Sequence, residues 1–343
     1  MNRSAPVAWK SVHPISGEDR VIQLLKHRFA RSSPSVKRSI GDDAAVFLPR
    51  GASEYWAFTT DLLLEDIDFR SAWISPEDLG HKALAVNLSD LAAMGVRPRY
   101  YTVALAMPGG ITERWISRFY RGMTALGTFH GAHLVGGDLS RSTQGILVSV
   151  AALGESLRKK VVYRSGGKAG DSLYVTGVLG RSASGLRLLE MGRIRGETRS
   201  ERLALGAHRR PKPRCAAGLW LAQSGLVNGM MDISDGLSID LPRLCEASGT
   251  GAEICGSSIP VFSESEAWQC NPLETALHGG EDFELLFSVA AQNVSLLEAK
   301  YPQTLTPIRR IGRLRRRAGV VWESRPGTGF QPLPSLGFNH FRS

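Results

Sequence analysis

Along the chain, short apolar and β-branched runs alternate with longer stretches whose apolar positions recur every three or four residues, the pattern of strands interleaved with helices. Residues 44–48, 55–60, 101–106 and 146–153 have strand length and composition. Residues 76–94 form the clearest helical segment: Ala83, Leu84, Val86, Leu88, Leu91 and Ala92 make an apolar stripe, and Gly95 and Pro98 close it. A second helix is predicted over 113–130. The charged Leu157-Arg158-Lys159-Lys160 stretch then interrupts the pattern. Beyond it come a strand over 172–176, helices over 182–191, 214–223 and 237–247, and a strand over 283–290. A short helix over 18–28 and a Ser/Pro/Arg loop precede everything else. The organisation expected is a preface at 1–38, an α/β domain at 39–155 and a second α/β domain at 161–343, since 343 residues suit two cores better than one.

Composition narrows this picture only slightly. With 43% hydrophobic and 22% charged residues the chain reads as an ordinary folded protein. The formal charge of +10 raises nucleic acid, an anionic membrane surface or a polyanionic small substrate as partners. Much of that charge lies in the arginine-rich stretches 193–214 and 309–317, which have few interleaved aromatics and no nucleic-acid module. They read as solvated basic faces, so neither nucleic acid nor a membrane is an expected partner. Cys215, Cys245, Cys255 and Cys270 form no C-x-x-C pair and no zinc spacing, as expected of free thiols in a reducing compartment. The first ten residues lack the apolar centre of a signal peptide, and no run approaches the roughly 20 apolar residues of a membrane helix. A cytoplasmic location is expected.

The candidate chemistry lies in aspartates at the edges of apolar elements. Gly41-Asp42-Asp43 precedes the first strand, Thr59-Thr60-Asp61 closes the second, and Gly136-Gly137-Asp138 follows Leu134-Val135. Met231-Asp232-Ile233-Ser234-Asp235-Gly236 repeats the arrangement in the second half, and Asn87 and Asp90 share one face of the helix over 76–94. Strand ends are where open α/β sheets place ligands. Taken singly, each aspartate suits a turn or a helix cap equally well. Taken together, Asp42, Asp43, Asp61, Asp90, Asp138, Asp232 and Asp235 would repel one another unless cations lay between them, and oxygen-only ligands select magnesium. Asp232 to Gly236 is not an EF-hand, because the glycine comes one position early and no Glu closes the loop. There is no P-loop, since Gly166-Gly167-Lys168 runs into Ala169, and there is no G-x-G-x-x-G or H-R-D segment. Two glycine-led segments remain, Arg164 to Asp171 and His278 to Phe283; each suits a tight turn, and the first also offers an Arg and a Lys to phosphate oxygens.

Read in order, these segments resemble the thiamine-monophosphate kinases, within the superfamily of aminoimidazole ribonucleotide synthetase, selenophosphate synthetase and the hydrogenase-maturation dehydratase. The resemblance runs over residues 39–341. It rests on Gly41-Asp42-Asp43-Ala44-Ala45-Val46, Thr59-Thr60-Asp61, the long motif from Lys82 to Gly95, Val135-Gly136-Gly137-Asp138, Tyr174-Val175-Thr176-Gly177, Asp232-Ile233-Ser234-Asp235-Gly236-Leu237 and Gly279-Gly280-Glu281-Asp282-Phe283-Glu284-Leu285. It implies a two-domain α/β (α+β) fold of the aminoimidazole ribonucleotide synthetase type and a homodimer joined through a barrel of N-terminal strands. It also implies ATP as co-substrate, several Mg²⁺ ions, and phosphorylation of thiamine monophosphate to thiamine diphosphate by in-line transfer. By position, Asp43, Thr59, Thr60, Asp61, Asp90, Asp138, Asp232 and Asp235 would hold metal, with Asp43, Asp61, Asp138 and Asp232 central to catalysis. Gly137, Asp138, Arg164 and Ser234 would lie near the nucleotide, and Asp68, Glu281 and Phe338 near the thiamine phosphate. Two positions depart from the family pattern: Asp68 stands where a substrate-contacting His is expected, and Phe338-Asn339-His340-Phe341 replaces a Tyr or Trp before an acidic residue and His.

Two other readings compete. Another ATP-dependent member of the superfamily would act on a different acceptor, although selenophosphate synthetases carry a reactive Cys or selenocysteine in a segment that here, before Gly41, has no Cys. A non-catalytic basic binding protein would instead show salt-dependent retention of nucleic acid on a filter.

Overall fold

The computed structural model describes residues 18–29 and 33–338; the first ten residues and the Asn339-His340-Phe341 segment read above lie outside the described residues. The first half runs α1 (Glu18–Phe29), β1 (Val36–Arg38), β2 (Ala45–Phe47), β3 (Trp56–Leu64), α2 (Pro76–Ala93), β4 (Arg97–Met107), α3 (Glu113–His130), β5 (His133–Arg141) and β6 (Leu147–Glu155). The second half begins β7 (Ser172–Thr176), α4 (Arg181–Glu190), α5 (Arg199–Arg209), α6 (Cys215–Ser224), β8 (Val227–Ile233) and α7 (Leu237–Ser248). It continues β9 (Gly251–Cys255), α8 (Pro272–His278), β10 (Glu284–Val289), α9 (Val294–Lys300), β11 (Ile308–Arg315), β12 (Gly319–Glu323) and β13 (Gln331–Pro332).

The first sheet has the order β1-β2-β3-β6-β4-β5, and only the β4–β5 pair is parallel, as a strand pair joined through the crossover helix α3 must be. Its strands alternate: Ala57, Thr59 and Leu63 of β3 turn inward, while Phe58, Thr60 and Leu62 lie exposed on the other face. The edge strand β5 is exposed along its whole length. The second sheet has the order β13-β12-β9-β11-β7-β10-β8, antiparallel except for β12 with β9.

Helix α2 starts where its sequence says it should. Ser75 Oγ accepts the Asp78 amide at 3.1 Å, Pro76 fills the first turn where no donor is needed, and Glu77 and Asp78 meet the positive helix end. It stops at Met94, where Gly95 takes φ +66°. Fourteen of its eighteen residues are buried, so it is a central helix and not the amphipathic surface helix its stripe suggests. On one side α3 crosses it; on the other α6 lies so close that a Cβ on Gly218 would stand 2.0 Å from the Ala92 carbonyl oxygen. The two halves thereby share a core: Leu84, Leu88 and Leu91 of α2 belong to the same cluster as Leu221 of α6 and Tyr174 and Phe287 of the second sheet. Leu173, Val175, Met231 and Leu286, on the sheet's opposite face, build a second core with Leu241 and Leu244 of α7.

Two expectations are corrected. Residues 193–214 and 309–317 are not merely solvated basic faces: the first contains α5, and the second overlaps β11, whose Ile311 and Leu314 are buried between outward-facing arginines. Arg214 in particular forms a two-pronged ion pair with Glu284, which is 2% exposed. Asp61 and Asp138 do not close strands; both lie inside them, β3 running on to Leu64 and β5 to Arg141. Among the described residues no helix is long and apolar enough to cross a membrane.

Candidate active site

Three elements converge beneath the inner face of the first sheet. Asp43 comes from the turn before β2, Asp90 from the last turn of α2, and Asp232 from the end of β8, and one carboxylate oxygen of each lies within 4.8 Å of the other two. Neighbouring hydroxyls fix their orientation: Thr59 Oγ1 donates a short hydrogen bond to Asp90 Oδ2, and Ser89 Oγ donates to Asp232 Oδ2 at 2.5 Å. Burial pushes the Asp90 and Asp232 carboxyls well above the usual carboxylate range, and the charges of their neighbours, Asp61 among them for Asp90, add to the rise. Asp42 rises to about 6 through burial and the adjoining Asp43.

One cation already faces this cluster. Arg164 Nη2 stands 2.9 Å from Asp43 Oδ1; burial opposes its charge, but Asp43, Asp232 and Asp42 hold the guanidinium well above its ordinary range. One arginine against three carboxylates leaves negative charge uncompensated, and the buried Oδ2 of Asp43 has no hydrogen-bond partner among the described residues. Crowded hard oxygens with an unused lone pair suit a divalent cation such as Mg²⁺.

Other expected residues fall elsewhere. Thr60 is on the open face and donates to the Val150 carbonyl at 3.0 Å. Gly137 and Asp138 lie on the exposed strand β5 beside Val103 and Ala104, and a Cβ on Gly137 would meet the Val103 carbonyl oxygen at 2.1 Å. Asp235 pairs with Arg243 at 2.5 Å. The structure brings none of these four into the Asp43–Asp90–Asp232 trio. Ser234 donates its amide to Asp240 Oδ2 at 3.0 Å, and its carbonyl accepts the Glu281 amide at 2.6 Å.

A second polar cluster lies about two turns before Asp90 along α2. Glu281, held at φ +65°, pairs through Oε1 with Lys82 Nζ at 2.7 Å and through Oε2 with His208 Nδ1 at 3.2 Å. Burial works against the Glu281 charge, but Lys82 and His208 outweigh it and hold the carboxyl down to about 2. Asp68 folds back onto its own loop, its Oδ2 accepting the Leu64 amide at 2.7 Å, while its carbonyl accepts from Lys82 Nζ at 3.1 Å. Phe338 is exposed and gives its amide to the Asp235 carbonyl at 3.2 Å. Sequence reasoning missed Lys82 and His208 as the partners of Glu281. For Lys82 a signal existed: a cation on the buried face of an apolar helix needs a partner.

The buried carboxyls predict a pH effect. A carboxyl whose pKa is raised on folding binds its proton more tightly in the folded chain, so stability falls as pH climbs from the unfolded value towards the folded one. Asp240 and Asp282 are raised to about 7 by burial, and Asp90 and Asp232 are raised as well. His81 and His208, lowered by burial, act in the opposite sense, but only below the unfolded histidine value of about 6.5. Between about pH 6.5 and 8 the melting temperature in EDTA is therefore expected to fall, and Mg²⁺ is expected to raise it more at pH 8 than at 6.5. A melting temperature that rises over this interval without metal would contradict the assignment.

Known proteins resemble this chain over most of its length. The model of the AIR synthase related protein N-terminal domain matches residues 41–156, and that of the AIR synthase related protein C-terminal domain matches residues 168–322. The thiamine-monophosphate kinase of Bacillus subtilis (strain 168) is 36% identical over 310 residues, covering 90% of this chain and 94% of the relative. That of Escherichia coli (strain K12) is 35% identical over 332 residues, covering 95% and 98%. A solved structure, AaThiL complexed with AMPPCP and TMP, superimposes with TM-score 0.81 at 32% identity, covering 95% of this chain and 97% of the other.

Proposed function

The chain belongs to the thiamine-monophosphate kinase family, and we propose that it performs that family's reaction at the Asp43–Asp90–Asp232 cluster. It transfers the γ-phosphoryl group of ATP to thiamine monophosphate, giving ADP and thiamine diphosphate. The observation that carries the site assignment is the convergence of two buried carboxylates, Asp43 and Asp232, and the half-buried Asp90 from separate elements of both halves. The AMPPCP and TMP of the structurally similar AaThiL complex are in keeping with nucleotide and acceptor meeting in such a cleft.

The acceptor phosphate has a second pKa near about 6, so at neutral pH it is largely a dianion and needs no general base. The protein's work is to hold two polyanions in line and to exclude water. Asp43, Asp90 and Asp232 would hold Mg²⁺, with Asp61 and Thr59 beside them, and the ion would supply positive charge to the phosphate oxygens. Arg164 supplies a fixed positive charge on the nucleotide side, and the Ser234 segment lines it. Glu281 presents a carboxylate to the acceptor, and the ring of Phe338 offers a stacking surface. Asp138 and Thr60, on the open sheet face, would join the metal set only where nucleotide reaches across that face.

That open face also supports a homodimer. Phe58 and Leu62 of β3 are 41% and 48% exposed on that face, and β5, exposed along its whole length, leaves a free strand edge carrying Val135 and Leu139; a second copy would cover both. Light scattering is expected to give a dimer mass, and Leu62→Glu with Leu139→Glu a monomer. Free cysteines and the absence of a membrane-crossing helix among the described residues accord with a cytoplasmic enzyme.

The direct test is incubation with Mg²⁺, ATP and thiamine monophosphate, with chromatographic detection of thiamine diphosphate and ADP. A clear preference for an unrelated phosphomonoester would overturn the acceptor assignment.

A further inference from the structure

Lys82 is a lysine with no exposed surface in the middle of a buried helix, although an unpaired ammonium there would be prohibitively desolvated. Its Nζ contacts two segments far apart in the chain: the Glu281 carboxylate at 2.7 Å and the Asp68 carbonyl at 3.1 Å. Both segments are backbone outliers, with Glu281 at φ +65° and Asp66, in the Asp68 loop, at φ +69°. Left-handed conformations at side-chain-bearing residues persist only where surrounding contacts hold them. For Glu281 those contacts are Lys82, His208 and the Ser234 carbonyl; for the loop they are Lys82, the Asp68 cap on Leu64 and the Asp66 amide on the Phe69 carbonyl.

Position along α2 gives Lys82 a further meaning. Ser89 lies two helical turns on, about 10 Å at 1.5 Å per residue, and Asp90 follows it. One rigid helix thus carries the carboxylate cluster in its last turn and the clamp on Glu281 two turns earlier. Distances between the two are fixed by backbone geometry and not by loops.

We propose that Lys82 is a positioning residue for the phosphate acceptor: it fixes the Glu281 carboxylate and the Asp66–Asp68 loop relative to each other and, through α2, relative to the Asp43–Asp90–Asp232 cluster. This rests on the reading that Glu281 faces the acceptor. Lys82 itself touches no reacting atom; its effect passes through Glu281 and the loop. His208 closes the other side of the Glu281 carboxylate and shares its Nδ1 with Ser182 Oγ at 3.3 Å, so Lys82 decides where Glu281 points and His208 limits how far it can turn.

The test is a double-mutant cycle in the full-length protein with Lys82→Met, Glu281→Gln and the combined variant. Lys82→Met is expected to raise the KM for thiamine monophosphate by about 10- to 100-fold, with the KM for ATP within about twofold, because misplacing a positioning group by about 1 Å costs on that scale. A purely structural role for Lys82 would instead move both constants together. The combined variant should stay close to Glu281→Gln alone, since the lysine then has only the Asp68 carbonyl left to hold. If Glu281→Gln leaves the acceptor KM unchanged, the contact reading fails and this inference with it. If Glu281→Gln raises the acceptor KM but Lys82→Met does not, or if the two effects multiply in the combined variant, the contact reading stands and the inference fails alone. Should Lys82→Met not fold, with the half-buried Glu281 left to His208 alone, the combined variant removes both charges and supplies the comparison: a further tenfold loss beyond Glu281→Gln overturns the proposal.

Discussion

Asparagine at Asp90 or Asp232 is expected to lower kcat/KM by about 10³-fold or more and, in the same protein, to raise the melting temperature measured in EDTA. The loss follows from removing a metal-holding charge, worth about 4 kcal/mol of transition-state stabilisation at about 1.4 kcal/mol per tenfold. The thermal gain follows from the same change. Asn keeps the shape and the acceptor oxygen that Thr59 and Ser89 use, while removing one of three mutually repelling carboxylates. Asp43→Asn should lose as much activity but gain less stability, because Arg164 would be deprived of its ion-pair partner at 2.9 Å. Steady-state kinetics beside thermal melts in EDTA check both halves. Activity retained in all three variants would remove the cluster from the reaction, and activity lost together with lowered melting temperature would recast it as structural.

Gly80→Ala and Gly122→Ala are expected to destabilise the protein by about 3 kcal/mol each, a fall of several degrees in melting temperature for a domain of this size. Alanine in a helix ordinarily gains up to about 1 kcal/mol over glycine, so the direction depends on space. At Gly80 an added Cβ would stand 2.0 Å from the Phe119 carbonyl oxygen, and at Gly122 it would stand 1.8 Å from that of Glu77. Both obstacles are backbone, which no rotamer change can move, so α2 and α3 would have to separate. Gly206→Ala in α5 is the control: nothing lies within 4 Å of its Cβ, and helix propensity alone predicts a small gain. Because the two crowded glycines belong to one crossing, their double variant should cost less than the sum. Melting temperatures unchanged in both single variants would mean the crossing is loose.

These examples also mark what the chain discloses locally. Helices α2 and α3 were legible because their ends are chemically signed, by Ser75 and Gly95 for one and by Thr112 and Gly131 for the other. Helix α5 carries an equally good signature, the Thr198 and Glu201 capping box, but the arginines around it drew the reading towards a solvated face. In β11 Arg309, Arg310, Arg313 and Arg315 surround and hide a buried Ile311 and Leu314, and in β5 Gly136 and Gly137 mimic a turn inside a strand. The aspartates of the cluster stood out because apolar neighbours flanked each one. Which of them meet is a property of tertiary approach, and so Asp43, Asp90 and Asp232 converge while Asp138 stays on an outer strand. For the pair of Lys82 with Glu281 the mark is one-sided: a lysine on the buried face of an apolar helix needs a partner, but nothing local points to Glu281 as that partner.

The core that joins the two halves sets a rule for recombining this enzyme with its relatives. Tyr174, Met230, Leu285 and Phe287 of the second sheet pack into the same cluster as α2 and α6. Either half expressed alone would expose that surface to water, so a cut in the 156–168 connection yields two sticky fragments instead of two modules. A chimera meant to exchange acceptor preference must therefore take its C-terminal half together with a matching α2 face, including the close seat of Gly218 on Ala92. Exchange at the level of single side chains around Glu281 and the Asp68 loop is the route that leaves the shared core intact.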